Sequence, residues 1–200
     1  LILCTSAPVI ADSNKNTVNK QVISNHDEFE TLMEKIRKDF AQNPLIDEAL
    51  NKYNSDKGCF TDVDYSRRDR TNWEPLIHIN RLYDFAFAYT NPQNTYYQSD
   101  NKIVKGLEYW YERNPHCNNW WYNQIAEPQK IGILLIQMRT GQKQIPAALE
   151  TKTLQRIRKD GGDPAKWTGA NRTDIALHWI YRACLEKNET DLKTALENAY

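Results

Sequence analysis

Apolar side chains recur at every third or fourth position along most of this chain, and this spacing constrains its fold more than any other feature. Phe29, Met33, Ile36 and Phe40 belong to the first such stripe, and charged residues lie between them. Spacing of this kind collects apolar side chains on one face of an α-helix. It predicts helices over residues 29–40, 45–53, 73–89, 96–113, 120–139, 145–157, 171–185 and 191–200. The polar stretch 54–72, in contrast, predicts a long loop.

Helices of this length joined by short turns predict an all-α fold built of antiparallel helical hairpins. No run of alternating polar and apolar residues is long enough to suggest a sheet. The 26 basic and 26 acidic residues balance, which argues against a general attraction to nucleic acid or to an anionic membrane. An anionic partner would have to bind to a local basic surface.

Pro128 lies within the predicted helix over residues 120–139. It is expected either near the first turn of that helix or at a kink.

The first eleven residues resemble the remains of an export signal. They are apolar and then small, and Val9 and Ala11 fit the small-residue rule for signal cleavage. Residues 1–11 are therefore expected to be a signal remnant and residues 12–200 a domain that is exported to the periplasm or the extracellular space. Cys4 could alternatively serve as a lipoprotein anchor. The stretch is too short to span a bilayer.

The other three cysteines, Cys59, Cys117 and Cys184, fit no zinc motif. We therefore expect either buried free thiols or one disulfide bridge with one free thiol.

The segment NNWWYNQIAEPQ at 118–129, the tryptophan segment, carries the strongest chemical signal. Adjacent residues on a helix point about 100° apart, so Trp120 and Trp121 cannot both face a core. Flat aromatic faces beside amide groups suit a sugar chain, which has apolar C–H faces and a rim of hydroxyls. The segment therefore suggests a saccharide groove. The alternative is that one tryptophan is core and the other covers the surface.

A second segment, KWTGANRTDIALH at 166–178, is called the asparagine segment here. Asn171 could simply cap the following helix, with Asp174 completing a capping box. A functional interpretation uses the same geometry, because a helix start after Gly169 would present backbone N–H groups, an amide and Arg172 to one anionic group.

Together the two segments resemble polysaccharide lyase family 8, the chondroitin AC, hyaluronate and xanthan lyases, and the chondroitin AC lyases most closely. The likeness extends from about Trp73 to the end of the chain. It implies an incomplete α/α toroid, which family members follow with large antiparallel β domains that this sequence lacks. It also implies β-elimination on a uronate-containing glycosaminoglycan such as chondroitin or hyaluronan, with no cofactor or metal from this region.

The resemblance also implies roles for individual residues. Trp120 and Trp121 match the family's aromatic patch on the sugar chain, and Asn171 matches the asparagine that hydrogen-bonds the uronate carboxylate. An amide there is chemically reasonable, since removing the C5 proton places more negative charge beside that carboxylate. Further substrate contacts are expected from a second group of side chains, namely Asn119, Asn123, Gln124, Trp167 and Arg172.

Other assignments stay open. The family's base-bearing His-Gly-Pro and Ser-Tyr-Gly segments do not occur in this sequence, so the chain by itself is expected to be inactive, and His178 is expected to be a packed side chain. An α/α-toroid glycoside hydrolase would need paired carboxylates, for which Glu108, Glu112 and Glu127 are the candidates. A third possible function, besides a lyase and a hydrolase, is a carbohydrate-binding module that catalyses no reaction. A sulfate or carboxylate could dock at Arg67, Arg68 and Arg70, unless nearby aspartates neutralise them.

Overall fold

Helices account for most of the chain in a computed structural model that describes residues 27–99 and 102–199. The helices are α1 (Glu28–Asp39), α2 (Asp47–Lys52), α3 (Leu76–Thr90), α4 (Lys102–Arg113), α5 (Glu127–Met138), α6 (Ala147–Asp160), α7 (Gly169–Glu186) and α8 (Glu189–Ala199). A π-helical turn (Tyr122–Ala126) leads into α5, and a 3-10 turn (Pro164–Lys166) precedes α7. The expected all-α class is confirmed. The predicted signal remnant and Cys4 lie outside the described residues.

The core lies around α5, whose apolar residues are buried on every side. Ile131 to Ile136 are almost fully inaccessible, because α3, α7 and α1 all pack against this helix. Gly132 permits the approach of α7, since a Cβ there would lie 2.9 Å from the Cβ of Tyr181. Helices α4, α6 and α8 pack outside this inner group, α4 on α3 and α6, and α8 on α7. The inner helices thus form a layer that is backed by the outer ones.

The expected loop over 54–72 contains a short element that the sequence did not predict. Tyr53–Asn54 (β1) and Cys59–Phe60 (β2) pair antiparallel, with Tyr53 opposite Phe60. The turn between them is closed by Gly58, whose φ of +74° is in the left-handed region and whose missing Cβ would lie 2.3 Å from the Lys105 carbonyl oxygen. Two-residue strands are too short to give a period-two pattern, which is why the sequence did not reveal them.

Two predicted helix starts were wrong. Helix α4 was expected from residue 96, but residues 96–99 form turns in which Asn94 Oδ1 accepts the Tyr96 N–H and Gln98 takes a φ of +57°. Helix α3 begins at Leu76 rather than at Trp73, because Pro75 is favourable just before the first turn. Trp73 nevertheless belongs to the core, with 2% of its surface exposed.

The three described cysteines, Cys59, Cys117 and Cys184, are free thiols, and two of them are buried, in agreement with one of the two expectations. Within the described residues, none of the helices combines the length and apolar character needed to cross a bilayer.

Candidate functional site

The segments that precede α3, α5 and α7 meet at one place. The backbone N–H of Asn118 donates to the Arg68 carbonyl at 3.1 Å, and Nδ2 of Asn119 donates to the Arg70 carbonyl at 2.9 Å. These bonds join the loop before α3 to the tryptophan segment before α5. A ring contact then joins the tryptophan segment to the asparagine segment before α7, which brings the two sequence motifs together.

That ring contact is the stacking of Trp120 on Trp167. Their ring centroids lie 4.1 Å apart with an interplanar angle of 26°. Trp120 and Trp121 are 36% and 40% exposed, so neither is a core residue, and the interpretation that one of the pair is core is wrong. Trp167 is half-buried beneath this contact. One face of Trp120 is therefore covered by another indole, while both members of the pair keep surface for a ligand.

A π-helical turn directly follows the two tryptophans and sets their orientation. The N–H of Glu127 bonds to the carbonyl of Tyr122, five residues back, rather than four as in an α-helix. Pro128 explains this, because it has no N–H for the Gln124 carbonyl and its ring would clash with that carbonyl in a regular helix. Pro128 is the second residue of α5, so it lies in the first turn of that helix, directly after the π-helical turn, as one of the two expectations had it. Trp121 then meets Tyr122 edge-on at 5.3 Å, and Tyr122 packs on the buried Trp73 at 5.8 Å.

The amide side chains of the tryptophan segment bond mainly to the protein itself. Oδ1 of Asn119 accepts the Trp121 N–H at 3.1 Å while its Nδ2 holds the Arg70 carbonyl. Asn123 exchanges two bonds with the backbone of Cys117, at 3.0 and 2.9 Å. Oε1 of Gln124 is buried without a partner among the described residues. Asn119 and Asn123 therefore position the indoles, and direct sugar contacts by these three amides stay a prediction.

Asn171 lies in the first turn of α7, not at its cap. The helix begins at Gly169, whose φ of +59° favours glycine, and the capping position is taken by Thr168. The cap and capping-box interpretation of Asn171 and Asp174 is therefore wrong. Within the described part of the chain, no side-chain hydrogen bond holds Asn171, which is half-buried. Its amide is thus available beside the N–H groups of the first turn, which have no acceptor within the helix.

Arg172, the next residue, is turned away from this amide. Its Nε donates to Oδ1 of Asn198 at 3.0 Å and its NH2 group approaches the Glu197 carbonyl at 3.4 Å, so it ties α7 to α8. A substrate contact by Arg172 would have to break these bonds. The start of α7 is also tied to α5, since Nε2 of Gln129 donates to the Asp174 carbonyl at 2.7 Å.

Sequence reasoning missed the role of the Gly161-Gly162 pair. A Cβ on Gly162 would lie 2.7 Å from Ile175 and 2.9 Å from Oε1 of Gln124, and a Cβ on Gly161 would lie 2.8 Å from His178. The pair lets the loop before α7 lie directly on the π-helical turn. Two adjacent glycines between motifs were the available signal.

Of the three glutamates considered for a hydrolase, Glu108 and Glu112 line one surface depression on α4, whereas Glu127 lies elsewhere and is buried. Glu127 is 5% exposed and accepts from Nε1 of Trp110 at 2.8 Å and from Arg156 at 3.0 Å, which makes it a structural residue. Glu108 and Glu112 lie on the exposed face of α4. Across residues 27–99 and 102–199, no group of three or more His, Cys, Asp or Glu side chains is arranged to hold a metal ion.

His178 is packed, as expected, and its titration affects stability rather than chemistry. Burial, helped by the charge of Arg182, lowers the pKa of His178 to about 3. An unfolded histidine titrates near 6.5. Between these values the unfolded chain binds a proton that the folded chain does not, so the stability contributed by neutral His178 is lost progressively as pH falls from about 6.5 towards 3.

We therefore expect His178→Gln to reduce the pH dependence of folding. Urea unfolding at pH 7, 6 and 5 should show the free energy of unfolding falling less steeply in the variant, by about 1 kcal/mol per pH unit. The slope against pH is the measurement, since the variant also changes stability at pH 7. Equal slopes in the two proteins would show that His178 is not held neutral.

The comparisons with known proteins agree with this architecture. The N-terminal α-helical domain of polysaccharide lyase family 8 matches residues 17–200. The chondroitinase-AC of Pedobacter heparinus is 40% identical over 159 residues, which are 78% of this chain and 22% of that protein. A solved chondroitinase AC lyase superposes with a TM-score of 0.79 at 37% identity, covering 86% of this chain and 26% of that one. A Paenibacillus xanthan lyase shares the fold, with a TM-score of 0.62 at 19% identity over 86% of this chain and 19% of that one.

The fold and the paired motifs thus define a helical domain of the polysaccharide lyase type. The chain belongs to polysaccharide lyase family 8, within its N-terminal α-helical domain. Its packed helices are part of an α/α toroid, as the resemblance implied. The chain spans less than a third of the length of the relatives named above.

Proposed function

We propose that the protein carrying this chain cleaves a uronate-containing glycosaminoglycan by β-elimination, with chondroitin as the first candidate substrate. The observation that carries this proposal is the stacking of Trp120 on Trp167, which joins an exposed aromatic surface to the turn that bears Asn171. The 40% identity to a chondroitinase-AC supports the choice of substrate. Export to the periplasm or beyond is part of the proposal and is supported by the apolar sequence of residues 1–11.

In the proposed reaction a base removes the C5 proton of the uronate, the C4–O bond breaks, and the leaving oxygen is protonated. A C4=C5 double bond remains in the new terminal sugar. This chain's part is to hold the sugar on Trp120 and Trp121 and to donate from Asn171 to the carboxylate as charge develops there. Such a bond stabilises the transition state more than the substrate, which is the condition for accelerating the step.

The reaction class is tested by ultraviolet absorbance. Incubating the intact protein that carries this chain with unsulfated chondroitin should produce a rising chromophore from the unsaturated uronate. A hydrolase would release reducing ends without that chromophore. Reducing ends without absorbance would overturn the proposal.

The aromatic surface is tested by Trp121→Ala. We expect the KM for chondroitin to rise roughly tenfold with a smaller change in kcat, because stacking acts in the bound substrate and in the transition state alike. Tyr97→Ala is the matched control, since Tyr97 is also an aromatic side chain with 41% exposure but lies in the turn before α4. An unchanged KM in Trp121→Ala would remove the stacking assignment.

A further inference from the structure

The segment Arg67–Arg70, called the arginine loop here, lies beside the aromatic surface and is not used by the proposed reaction. Its backbone is fixed there by the two bonds from Asn118 and Asn119 described above. Asn119 also receives the Trp121 N–H, so one side chain holds both the arginine loop and the exposed indole. The arginine loop is therefore held in a fixed position next to the exposed aromatic surface of Trp120 and Trp121, which is called the platform below.

The three guanidinium groups of this loop differ in their partners. Arg67 donates through Nε to Asp69 at 2.5 Å and lies 3.8 Å from Glu74, so its charge is matched. Arg68 and Arg70 are exposed, and no ion pair or side-chain hydrogen bond engages either of them within the described residues. Neutralisation by nearby acids, expected for the whole cluster, thus holds only for Arg67.

The nearby acids are already engaged elsewhere. Asp62 forms a two-bond pair with Arg81, at 2.6 and 2.8 Å. Asp64 accepts from the backbone and the hydroxyl of Ser66, at 2.9 and 2.6 Å. Glu74 accepts the Asp64 N–H at 2.8 Å as well as facing Arg67. Within the part of the chain that the structure describes, these acidic side chains are thus engaged with groups other than the guanidinium groups of Arg68 and Arg70.

The arginine loop also contacts the tryptophan segment through Cys117. The Cys117 thiol donates to the Asp69 carbonyl at 2.9 Å, and the Asn119 N–H donates to the Cys117 sulfur at 3.3 Å. Burial raises the pKa of this thiol; the bond from Asn119 and the charge of Arg70 oppose the rise, whereas the charge of Asp69 adds to it. Cys117 therefore links the arginine loop to the turn that carries the indoles.

We propose that Arg68 and Arg70 form an anion subsite that binds a sulfate ester or uronate carboxylate of the polymer next to the sugar held on the tryptophans. This rests on the proposed function, because it assigns the same polymer to the same surface. A planar guanidinium donates two parallel hydrogen bonds to either group, and glycosaminoglycans carry such groups at regular intervals. The subsite would make the platform selective for charged polymers, which the indoles alone cannot do.

Binding of size-defined hexasaccharides to the intact protein, with Asn171→Ala present in every variant to suppress cleavage of the probes, is followed by isothermal titration calorimetry at low and at physiological salt and tests the subsite. The three probes are sulfated chondroitin, unsulfated chondroitin, and the unsulfated form with its carboxyls reduced to alcohols. The variants are Arg68→Gln and Arg70→Gln, and Arg67→Gln is the matched control from the same loop. Far-ultraviolet circular dichroism of each variant checks that the helical fold is unchanged.

We expect Arg68→Gln and Arg70→Gln each to weaken binding of sulfated chondroitin roughly three- to tenfold at low salt, with a smaller loss at higher salt. Arg67→Gln should change it by less than about twofold. A loss confined to the sulfated probe assigns a sulfate ester to the subsite, and an equal loss with both charged probes assigns a carboxylate. Binding of the neutral probe should not change.

A loss in Arg68→Gln and Arg70→Gln no larger than in Arg67→Gln would overturn the subsite, and so would an equal loss with the neutral probe. Trp121→Ala separates this result from failure of the proposed function. If Trp121→Ala weakens binding of all three probes while the arginine variants change nothing, the saccharide platform stands and only the anion subsite fails.

Discussion

In the intact protein that carries this chain, Asn171→Ala is expected to lower kcat for chondroitin by about 10²- to 10³-fold and to change KM little. The amide of Asn171 has no hydrogen-bond partner among residues 27–99 and 102–199 and lies in the first turn of α7, where N–H groups without acceptors in the helix favour an anion. Its bond to the uronate carboxylate strengthens only when charge develops after loss of the C5 proton. Steady-state rates followed by ultraviolet absorbance measure both constants.

Thr173→Ala is the control for this substitution, since Thr173 is exposed on the same helix start. Alanine is a good helix former, so neither change should unfold α7. The fall in kcat therefore separates chemistry from folding. A kcat within about threefold of the unsubstituted protein would exclude Asn171 from the transition state, and a large rise in KM alone would make it a binding residue.

The sequence alone was sufficient to predict the positions of the helices, because the apolar spacing that identifies a helix lies within the helix itself. The stripe of Phe29, Met33 and Ile36 gave α1 correctly to within a residue or two at each end. It was insufficient where a single polar contact decides the boundary, as at Tyr96, whose N–H is held by Asn94 in a turn. The two-residue strands at Tyr53 and Cys59 left no periodic signal at all.

The sequence predicted which residues belong to the candidate site but not how their side chains contact one another. The sequence singled out Trp120 and Trp167 separately, yet their stacking depends on the loop before α7 lying on the π-helical turn, which is a contact between distant parts of the chain. The partners of Arg172 on α8 were equally inaccessible, because they follow from helix packing. The internal bonds of Asn119 explain why a polar residue beside an indole can be a positioning residue rather than a ligand contact.

A buried ionic network lies beneath the platform. The sequence pattern did not predict it, because its members come from different helices. Arg156 of α6 donates to the carbonyls of Trp110 and Pro115, each at 3.1 Å, and meets the carboxylate of Glu127 at 3.0 Å. It therefore joins the end of α4, the loop before the tryptophan segment and the start of α5. Burial raises the pKa of the Glu127 carboxyl, although the charge of Arg156 and the bond from Trp110 oppose this.

Breaking this network on one side should be the largest stability change that a single substitution near the site produces. Glu127→Ala leaves the buried guanidinium of Arg156 with only the more distant carboxylate of Asp160, at 4.0 Å, and leaves the Trp110 N–H without its acceptor, so it should lower the free energy of unfolding by about 3–5 kcal/mol. Urea unfolding at pH 7, followed by tryptophan fluorescence, gives this value. Replacing both partners, as Glu127→Leu with Arg156→Met, removes the unpaired charge and should recover a large part of the loss.

Lys193→Ala is the matched control, because Lys193 and Glu197 form an exposed pair at 3.9 Å with side chains 79% and 64% accessible. Its loss should change stability by less than about 0.5 kcal/mol. If Glu127→Ala costs no more than this control, Glu127 is not holding a buried charge. The loop at Pro115 would then have to be fixed by the two carbonyl bonds of Arg156 alone, and the geometry of the indole pair would be independent of the carboxylate beneath it.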